Sequence, residues 1–386
     1  MRVTMLVRCL SMMHGGGETR HLAWARALRS AGDEVTIITG RPLFAPARYQ
    51  TDDGAIVLRS PYLRELVYRY QKTRGFGRLL SQALHADEEW FCRSAWHHIA
   101  RVPQPPDVVH AHALYQAARL RRHGIPTVIN LPGMPHRRYI ADLQRADALV
   151  ADGWAAEQLP AALGRPVDHV PKGVDTELFR PDGPDKRAEL GLAGRRVALV
   201  VSRLVPIKNV ALAIDAMAEA STAQPNLAML VVGDGPLRAE LEARIAALGL
   251  SARVKLVGRI AHEELAVWYR SADVFVLPSE FDNSPNVALE AMASGVPVVA
   301  TDVGGLREYV QPGTNGDLVP AGDAPALARA IARYARDRDL SSATRLRNRE
   351  DAVARFSWTR SAQRLRAVYE RVIASRGDVD RLRASA

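Results

Sequence analysis

Short apolar segments alternate with stretches of helical periodicity along the whole 386-residue chain, in two successive series. The first series has strand candidates at Val3–Val7, Glu34–Thr39, Asp107–Ala111, Thr127–Asn130 and Ala148–Ala151. The second has them at Arg196–Ser202, Met229–Gly233, Val254–Val257, Val274–Leu277 and Val298–Thr301. Apolar strands separated by helices are typical of parallel sheets covered by helices. The sequence therefore predicts an α/β protein with two Rossmann-like domains rather than one long sheet.

The division between the two domains is predicted near residue 172, where proline, glycine and aspartate cluster over 170–175 and 179–184. Residues 1–172 are expected to form the N-terminal domain and residues 173–358 the C-terminal domain. Phe356-Ser357-Trp358 opens a last helix, predicted to run through Tyr369, and residues 359–386 are expected to return to the first domain. Two domains joined in this way would enclose a central cleft.

Composition narrows the possible environments and partners. Cys9 and Cys92 are too few for a disulfide framework or a structural zinc site, so a reducing cytoplasm is expected. The formal charge of +10 comes from scattered arginines without a nucleic-acid-binding motif, so no nucleic-acid partner is expected. No apolar segment approaches the roughly 20 residues of a membrane helix, although the basic stretch 64–74 leaves attachment to an anionic membrane surface open. Nothing in the sequence indicates an oligomeric state.

The segment 278–295 is typical of a strand that leads through a polar turn into a helix with a glycine stop. Ser284 is a favourable N-cap residue and Pro285 suits the first helical position, which would leave backbone N–H groups facing outward. Such a helix end attracts phosphate. Asp282 lies before that end and Glu290 two turns inside, so one carboxylate can meet a sugar and the other ribose hydroxyls. An ordinary strand-to-helix crossover is the alternative for these residues alone.

A glycine-rich turn, His14-Gly15-Gly16-Gly17-Glu18, follows the first strand. Glycines let backbone N–H groups approach a diphosphate closely. The G-x-G-x-x-G fingerprint is absent, and the second strand ends in Thr39-Gly40-Arg41 without the acidic residue that would hold a nicotinamide cofactor. Hydride transfer is therefore disfavoured. The absence of G-x-x-x-x-G-K-[ST] excludes P-loop kinases and ATPases.

Further candidate residues follow the strands of the second series. Arg203 and Lys208 lie five residues apart across a turn and suit two oxygens of one diphosphate, each bond contributing roughly 1.5–3 kcal/mol. Together they could neutralise a leaving nucleoside diphosphate without a metal, although a solvated surface pair is the alternative. The loops with Gly233 and Gly258 permit close approach of a ligand or form simple turns, and Arg259 could contact a nucleobase or solvent.

The order of these motifs resembles the retaining glycosyltransferases of family 4, which have the two-domain GT-B architecture. The resemblance rests on six segments in the same order: residues 15–18, 172–175, 203–208, 232–236, 258–260 and 278–295. It implies a nucleoside diphosphate sugar, expected to be UDP-linked, as co-substrate, with no other cofactor. It also implies that Arg203 and Lys208 bind the donor diphosphate and that Glu290 accepts ribose hydroxyls. Asp282 would face the donor sugar, and Gly16 and Gly17 would close over the phosphates. Relatives offer backbone amides to the sugar hydroxyls at the positions of Asn283, Ser284, Pro285 and Asn286.

Two departures from the family pattern matter. Asp282 stands where most relatives carry glutamate. Many relatives also place a histidine after the strand Val128–Asn130, where this chain has Asn130 or Gly133. His136, His110 or His112 could take the place of that histidine, and a purely structural role for these residues is the alternative. Asp-x-Asp occurs at 337–339 and 378–380, but in a charged helical region, so no metal is expected in catalysis.

For the acceptor, the segments 2–10, 15–25 and 203–212 resemble the second glycosyltransferases of 2-deoxystreptamine aminoglycoside biosynthesis. Such enzymes add a sugar to a pseudodisaccharide such as paromamine or neamine. A polycationic acceptor favours nearby carboxylates, and Asp87-Glu88-Glu89-Trp90 is an acidic cluster with an aromatic residue. The acceptor-side candidates are His14, Glu88, Glu89, Asn130 and His136. The alternatives are a solvated helix face at 87–90, a membrane-surface lipid or polysaccharide glycosyltransferase, and a non-catalytic sugar-nucleotide binding protein.

Overall fold

The computed structural model describes residues 1–8, 10, 16–42, 56–62, 77–122 and 124–384. The chain forms two compact units, Met1–Pro171 with Ser361–Ala386 as unit 1 and Lys172–Arg360 as unit 2. Cys9, His14 and the basic stretch 64–74 lie outside the described residues.

Unit 1 is built on a seven-stranded parallel sheet with the strand order β3-β2-β1-β4-β5-β6-β7. Its strands are β1 (Arg2–Leu6), β2 (Glu34–Pro42), β3 (Ile56–Tyr62), β4 (Val108–His112), β5 (Thr127–Leu131), β6 (Ala148–Ala151) and β7 (Asp168–His169). The helices around it are α1 (Gly16–Ser30), α2 (Gly77–Ile99), α3 (Ile140–Leu143) and α4 (Gly153–Leu163). The last helix of the chain, α11 (Trp358–Ala384), also packs here, since the Tyr369 hydroxyl lies 2.8 Å from His110 Nδ1.

Unit 2 is built on a six-stranded parallel sheet with the strand order β10-β9-β8-β11-β12-β13. Its strands are β8 (Arg196–Val201), β9 (Leu227–Val232), β10 (Val254–Gly258), β11 (Val274–Leu277), β12 (Val298–Thr301) and β13 (Gly316–Val319). Its helices are α5 (Val210–Ala223), α6 (Arg238–Ala247), α7 (Leu265–Arg270), α8 (Asn286–Ala293), α9 (Ala324–Arg336) and α10 (Arg338–Phe356).

The two ends of unit 2 lie side by side. The Val174 N–H donates to the Phe356 carbonyl at 2.7 Å, and Val174 forms a parallel bridge with Ser357. A Cβ on Gly173 would lie 2.4 Å from the Trp358 ring. The glycine in the predicted boundary segment is therefore required by packing against Trp358.

The α/β class with two Rossmann-like units is confirmed, because central strands such as β5 and β9 are buried at every position. The sequence analysis missed β3, β7 and β13, which are edge strands of the two sheets. Edge strands lack the continuous apolar run of a central parallel strand, and β13 reads Gly-Asp-Leu-Val. Helix α11 continues 15 residues beyond the predicted end at Tyr369.

Within the described ranges, no helix is both long enough and apolar enough to cross a lipid bilayer. Among the same residues, no group of three His, Cys, Asp or Glu side chains is arranged to hold a metal ion.

Candidate functional site

The strand order of unit 2 reverses between β8 and β11, since β8 has β9 on one side and β11 on the other. In open α/β sheets, ligands bind outside the carboxyl ends of the strands at such a switch point. The loops that follow β8 and β11 are joined here, because the Glu280 N–H donates to the Ile207 carbonyl at 2.9 Å. The carboxyl edge of the sheet at β8 and β11 is therefore the candidate site of unit 2.

Lys208 and Asp282 form an ion pair at this switch point. Lys208 Nζ lies 2.5 Å from Asp282 Oδ2, and the two side chains are only 16% and 15% exposed. Ser279 Oγ donates to the same carboxylate oxygen at 3.1 Å. The sequence analysis assigned Lys208 to a diphosphate and Asp282 to a sugar, and the structure brings the two groups into direct contact. A partly buried cation held in place by a carboxylate is suited to binding an anionic group.

The backbone on either side of this pair is tightly constrained. Asn209, directly after Lys208, has φ of +43°, a conformation that non-glycine residues rarely adopt. The Asp282 carbonyl accepts from the Gly305 N–H at 2.9 Å. Gly304 has φ of +55°, and a Cβ there would lie 1.8 Å from the Asp282 carbonyl oxygen. The loop after β12, which the sequence analysis did not single out, thus fixes the position of Asp282.

The predicted N-cap at Ser284 is wrong. Helix α8 starts at Asn286, with Pro285 in the N-cap position, and Ser284 is buried with its hydroxyl bonded to the Tyr309 hydroxyl. The Ser284 carbonyl accepts from Lys172 Nζ at 2.6 Å. The Ser284 hydroxyl therefore bonds to a residue distant in sequence instead of capping the helix. Asn283 lies half-buried in the same loop.

Glu290 is buried inside α8, and both of its carboxylate oxygens have partners. The Tyr269 hydroxyl donates to Oε2 at 2.9 Å, and His262 Nε2 lies 3.0 Å from Oε1. The hydrogen bond with Glu290 raises the pKa of His262, whereas burial raises the pKa of Tyr269 well above its usual value. The partners His262 and Tyr269 were missed, because nothing in the local sequence relates them to Glu290. The carboxylate is held rigidly, with lone pairs that can still accept hydroxyl hydrogen bonds.

Gly233 and Gly258 in unit 2 differ in how closely other atoms approach them. A Cβ on Gly233, whose φ is +135°, would lie 1.8 Å from the Ser202 carbonyl oxygen, so this glycine permits contact between two loops. Gly258 has φ of +96°, and a Cβ there would lie 3.9 Å from Arg238 Nη1, an ordinary van der Waals contact. Arg203 and Arg259 are both exposed on loops at this same edge. Arg203 thus lies on the loop after β8, Gly233 directly after β9, Gly258 at the end of β10 and Arg259 directly after it.

In unit 1 the strand order reverses between β1 and β4. Gly16 and Gly17 form the start of α1, on the connection that follows β1, and His112 ends β4. Asn130 is buried, and its Oδ1 lies 2.9 Å from His112 Nδ1. The structure therefore brings Asn130 together with one of the three histidines that the sequence analysis considered.

Buried polar groups lie next to this edge. His21 Nε2 lies 3.1 Å from His110 Nε2, and burial lowers the pKa of His110 to about 3, so that this ring is neutral. Arg20 Nη2 forms an ion pair with Asp152 Oδ2 at 2.6 Å. The sequence analysis missed Arg20 and His21, because a single basic residue or histidine in a helix carries no local pattern that separates a site from a core.

The predicted acidic patch at 87–90 does not form one surface. Asp87 is buried and pairs with Arg8 at 3.1 Å, and Glu88 is buried with the Gln116 N–H donating to it at 3.0 Å. Burial raises the pKa of Glu88 to about 7. Glu89 is half-buried and pairs with Arg93 and Arg119, and Trp90 is 58% exposed. Successive helical residues point about 100° apart, so adjacent carboxylates are separated.

His136 is exposed and caps a short 3-10 helix at 137–139, since its Nδ1 accepts from the Arg138 N–H at 3.3 Å. His14 lies outside the described residues, and nothing relates it to the other acceptor-side candidates.

Comparison with known proteins places both units in one enzyme class. Residues 182–351 match the family described as "Glycosyl transferases group 1", and residues 14–178 match "Glycosyltransferase Family 4". A D-inositol 3-phosphate glycosyltransferase 1 from Catenulispora acidiphila is 35% identical over 310 residues, which are 71% of this chain and 74% of the relative. An alpha-D-kanosaminyltransferase from Streptomyces kanamyceticus is 33% identical over 205 residues, 52% of this chain and 51% of the relative.

Two more relatives are also matched over only part of their length. The chain spans 55% and 63% of two further curated relatives. Sucrose-phosphate synthase from Thermosynechococcus elongatus has the same fold, with a TM-score of 0.75 at 24% identity, over 97% of this chain and 99% of that structure. The chain therefore belongs to the group 1, family 4 glycosyltransferases of GT-B fold.

Proposed function

We propose that this protein transfers a sugar, with retention of anomeric configuration, from a UDP-linked sugar to a hydroxyl of an aminoglycoside pseudodisaccharide. The assignment of the acceptor rests on the similarity to the kanosaminyltransferase from Streptomyces kanamyceticus. Nucleotide-sugar chemistry itself follows from family membership. The proposal concerns which nucleotide the donor sugar is linked to and which molecule accepts the sugar.

In this proposal the donor diphosphate binds at the carboxyl edge of unit 2. Arg203 and Lys208 contact its oxygens, and Lys208 carries its charge next to Asp282, 2.5 Å away. Asp282 contacts the donor sugar, and Glu290, held by Tyr269 and His262, accepts from ribose hydroxyls. The two cations stabilise the leaving diphosphate, and no metal ion is required. In front-face displacement, a diphosphate oxygen accepts the proton of the acceptor hydroxyl.

The charges near the switch point of unit 1 do not favour one acceptor over another. Arg20 Nη2 pairs with Asp152, whereas the buried Arg20 Nε and Nη1 have no hydrogen-bond partner among the described residues, and His110 is neutral. Guanidinium N–H groups of this kind can bind a phosphate as well as a hydroxyl oxygen. Glu89, half-buried and next to the exposed Trp90, is the carboxylate of the segment 87–89 that remains nearest to the surface.

A second candidate acceptor is an inositol phosphate. It is favoured by the relative from Catenulispora acidiphila, which is named for D-inositol 3-phosphate and matches over the larger share of this chain. Transfer to a membrane lipid or polysaccharide would use the same donor groups.

The test is incubation with UDP-sugars and GDP-mannose, each combined with paromamine, neamine, inositol phosphate or lipid vesicles, with products identified by mass spectrometry. We expect a pseudotrisaccharide from a UDP-sugar. Exclusive transfer to inositol phosphate or to vesicles would replace the proposed acceptor. Donor binding without any transfer or hydrolysis would indicate a sugar-nucleotide binding protein.

A further inference from the structure

The two oxygens of the Asp282 carboxylate in unit 2 differ in their contacts. Oδ2 accepts from Lys208 Nζ at 2.5 Å and from Ser279 Oγ at 3.1 Å. Oδ1 has no hydrogen-bond partner among the described residues and is not a buried atom. The side chain as a whole is 15% exposed. Oδ1 is therefore the oxygen that a ligand at the switch point of unit 2 can reach.

The Ser279 hydroxyl serves as a donor to Asp282. A carboxylate in an ion pair accepts hydrogen bonds and has no proton to give, so the hydroxyl proton lies between Ser279 Oγ and Asp282 Oδ2. Ser279 is fully buried, two residues after the end of β11. Its hydroxyl makes no other hydrogen bond within the described ranges. Hydrogen bonds to a charged acceptor are among the stronger ones in proteins, so this contact is suited to holding the carboxylate.

The backbone at both ends of the segment 279–282 is anchored to β12 and the loop after it. Thr301, the last residue of β12, is fully buried, and its hydroxyl donates to the Ser279 carbonyl at 2.5 Å. The Gly305 N–H donates to the Asp282 carbonyl at 2.9 Å. The Ser279 hydroxyl and the Asp282 carboxylate are therefore held next to each other by a neighbouring strand.

Two donors on one oxygen restrict the orientation of the carboxylate. The ammonium group of Lys208 is a compact charge on a flexible stem, and by itself it allows the carboxylate to turn. Donors prefer the plane of the group that accepts them, so a second donor from a fixed, buried position limits rotation of that plane. With Lys208 and Ser279 both on Oδ2, the direction of Oδ1 is fixed.

We propose that Ser279 is a positioning residue for recognition of the donor sugar: together with Lys208 it occupies Oδ2 of Asp282 and directs Oδ1 at one hydroxyl group of that sugar. The proposal rests on the proposed function, which assigns Asp282 to the donor sugar. It adds that Asp282 accepts through a single oxygen and that a buried hydroxyl determines where that oxygen lies.

The first test compares Ser279→Ala with Ser294→Ala as the matched control. Both remove the hydroxyl of a fully buried serine in unit 2, but Ser294 Oγ has no hydrogen-bond partner among the described residues. Titration calorimetry without acceptor gives the affinities for UDP and UDP-glucose. Ser279→Ala should weaken binding of UDP-glucose about 10-fold, the loss expected for one hydrogen bond to a charged group. Binding of UDP, which lacks the sugar, should stay close to the wild-type value, and Ser294→Ala should change neither affinity.

The second test asks whether Ser279 acts through Asp282. In Asp282→Asn, the amide oxygen can take the place of Oδ2 between Lys208 and Ser279, which leaves an N–H donor where Oδ1 was. This variant should bind UDP-glucose more weakly, and adding Ser279→Ala should cause little further loss, because no accepting oxygen remains to be positioned. A double-mutant cycle measures this coupling. A merely structural Ser279 would cause the same loss in both backgrounds.

Failure of this inference differs from failure of the proposed function. Wild-type affinity for UDP-glucose in Ser279→Ala, equal losses in the two serine variants, or equal weakening of UDP and UDP-glucose overturns the inference. Wild-type affinity in Asp282→Asn contradicts the proposed assignment of Asp282 to the sugar, whatever Ser279→Ala does. If the enzyme uses GDP-mannose, GDP and GDP-mannose are the probes, and a wrong acceptor leaves the result unaffected because no acceptor is present.

Discussion

The switch points of the two units have the same topology but different chemistry. In unit 2 the loops after the flanking strands bring together a cation and an anion, Lys208 and Asp282, 2.5 Å apart. In unit 1 the corresponding edge carries an imidazole and an amide, with His112 Nδ1 and Asn130 Oδ1 2.9 Å apart. A non-glycine residue with positive φ directly follows each key side chain, Asn209 after Lys208 and Ala113 after His112.

The difference indicates how one fold serves two kinds of ligand. The cation Lys208 at the edge of unit 2 can bind an anionic group, whereas the imidazole and amide at the edge of unit 1 can form hydrogen bonds with hydroxyl groups. In both units the sheet fixes the backbone, and the loops decide which chemistry is presented.

The largest expected effect comes from Gly304→Ala in unit 2. The added Cβ would lie 1.8 Å from the Asp282 carbonyl oxygen, and the positive φ is unfavourable for alanine. Displacing Asp282 by about 1 Å should lower kcat/KM about 100-fold. Gly313→Ala is the matched control, because Gly313 also has a positive φ but no atom within 4 Å of the added Cβ. Equal losses in the two variants, measured with saturating acceptor, would show that backbone strain alone is responsible.

Removing the cations of unit 2 should have the next largest effect. Lys208→Ala and Arg203→Ala should each lower kcat/KM roughly 10- to 100-fold, the range expected for one charge-assisted hydrogen bond. The loss should be greater for Lys208, because its removal leaves Asp282 uncompensated at the site. Lys255→Ala, at an exposed position on β10, is the control. A wild-type rate in Lys208→Ala would refute the diphosphate role, and Lys208→Ala combined with Asp282→Asn measures the coupling of the pair.

The buried carboxyl group of Glu88 in unit 1 should make the stability of the protein depend on pH. Burial raises the pKa of Glu88 in unit 1 from 4.5 to about 7, so the folded protein binds a proton that the unfolded chain releases between these values. Wild-type stability should therefore fall by about 3 kcal/mol as the pH rises from 4.5 to 7 and stay level above. Glu88→Gln should remove this dependence, measured as urea midpoints at pH 5 and pH 8. The same pH dependence in both proteins would contradict the prediction.

The smallest effect is expected for His262 in unit 2. Its hydrogen bond with Glu290 raises its pKa, so the interaction stabilises the fold below pH 6.5 and is lost as the pH rises through the folded-state pKa. The side chain is 48% exposed, and solvent screening limits the effect to about 0.5 kcal/mol. His262→Gln should therefore differ from wild type in urea midpoint at pH 5.5 but not at pH 9. An equal difference at both values would indicate a packing effect.

Much of the fold could be predicted because its determinants are local. The central strands β6, β11 and β12 have the predicted bounds, since each is a short apolar run between polar turns. The edge strand β13 could not be recognised, because its pairing with β12 supplies the hydrogen bonds that its own composition does not favour. Arg203 lies on the loop after β8, whereas Gly258, predicted to follow a strand, is the last residue of β10.

The contacts of the candidate site could not be predicted in the same way. Ser284 has the composition of an N-cap, but Tyr309, 25 residues later, binds its hydroxyl. Asp87 and Glu88 are adjacent charged residues that local rules place in solvent, yet Arg8 and Gln116 bind them inside unit 1.

By itself, the sequence determined the α/β class, the two sheets and the loops that carry candidate residues, because strand periodicity and turn chemistry act over a few residues. Only the tertiary structure decided that Lys208 pairs with Asp282, that Gly304 fixes Asp282 and that Asn130 orients His112. The first two contacts join loops that follow different strands, and the third joins the neighbouring strands β4 and β5. Their partners lie 74, 22 and 18 residues apart, so the order of strands in the sheet, rather than proximity in sequence, brings them together.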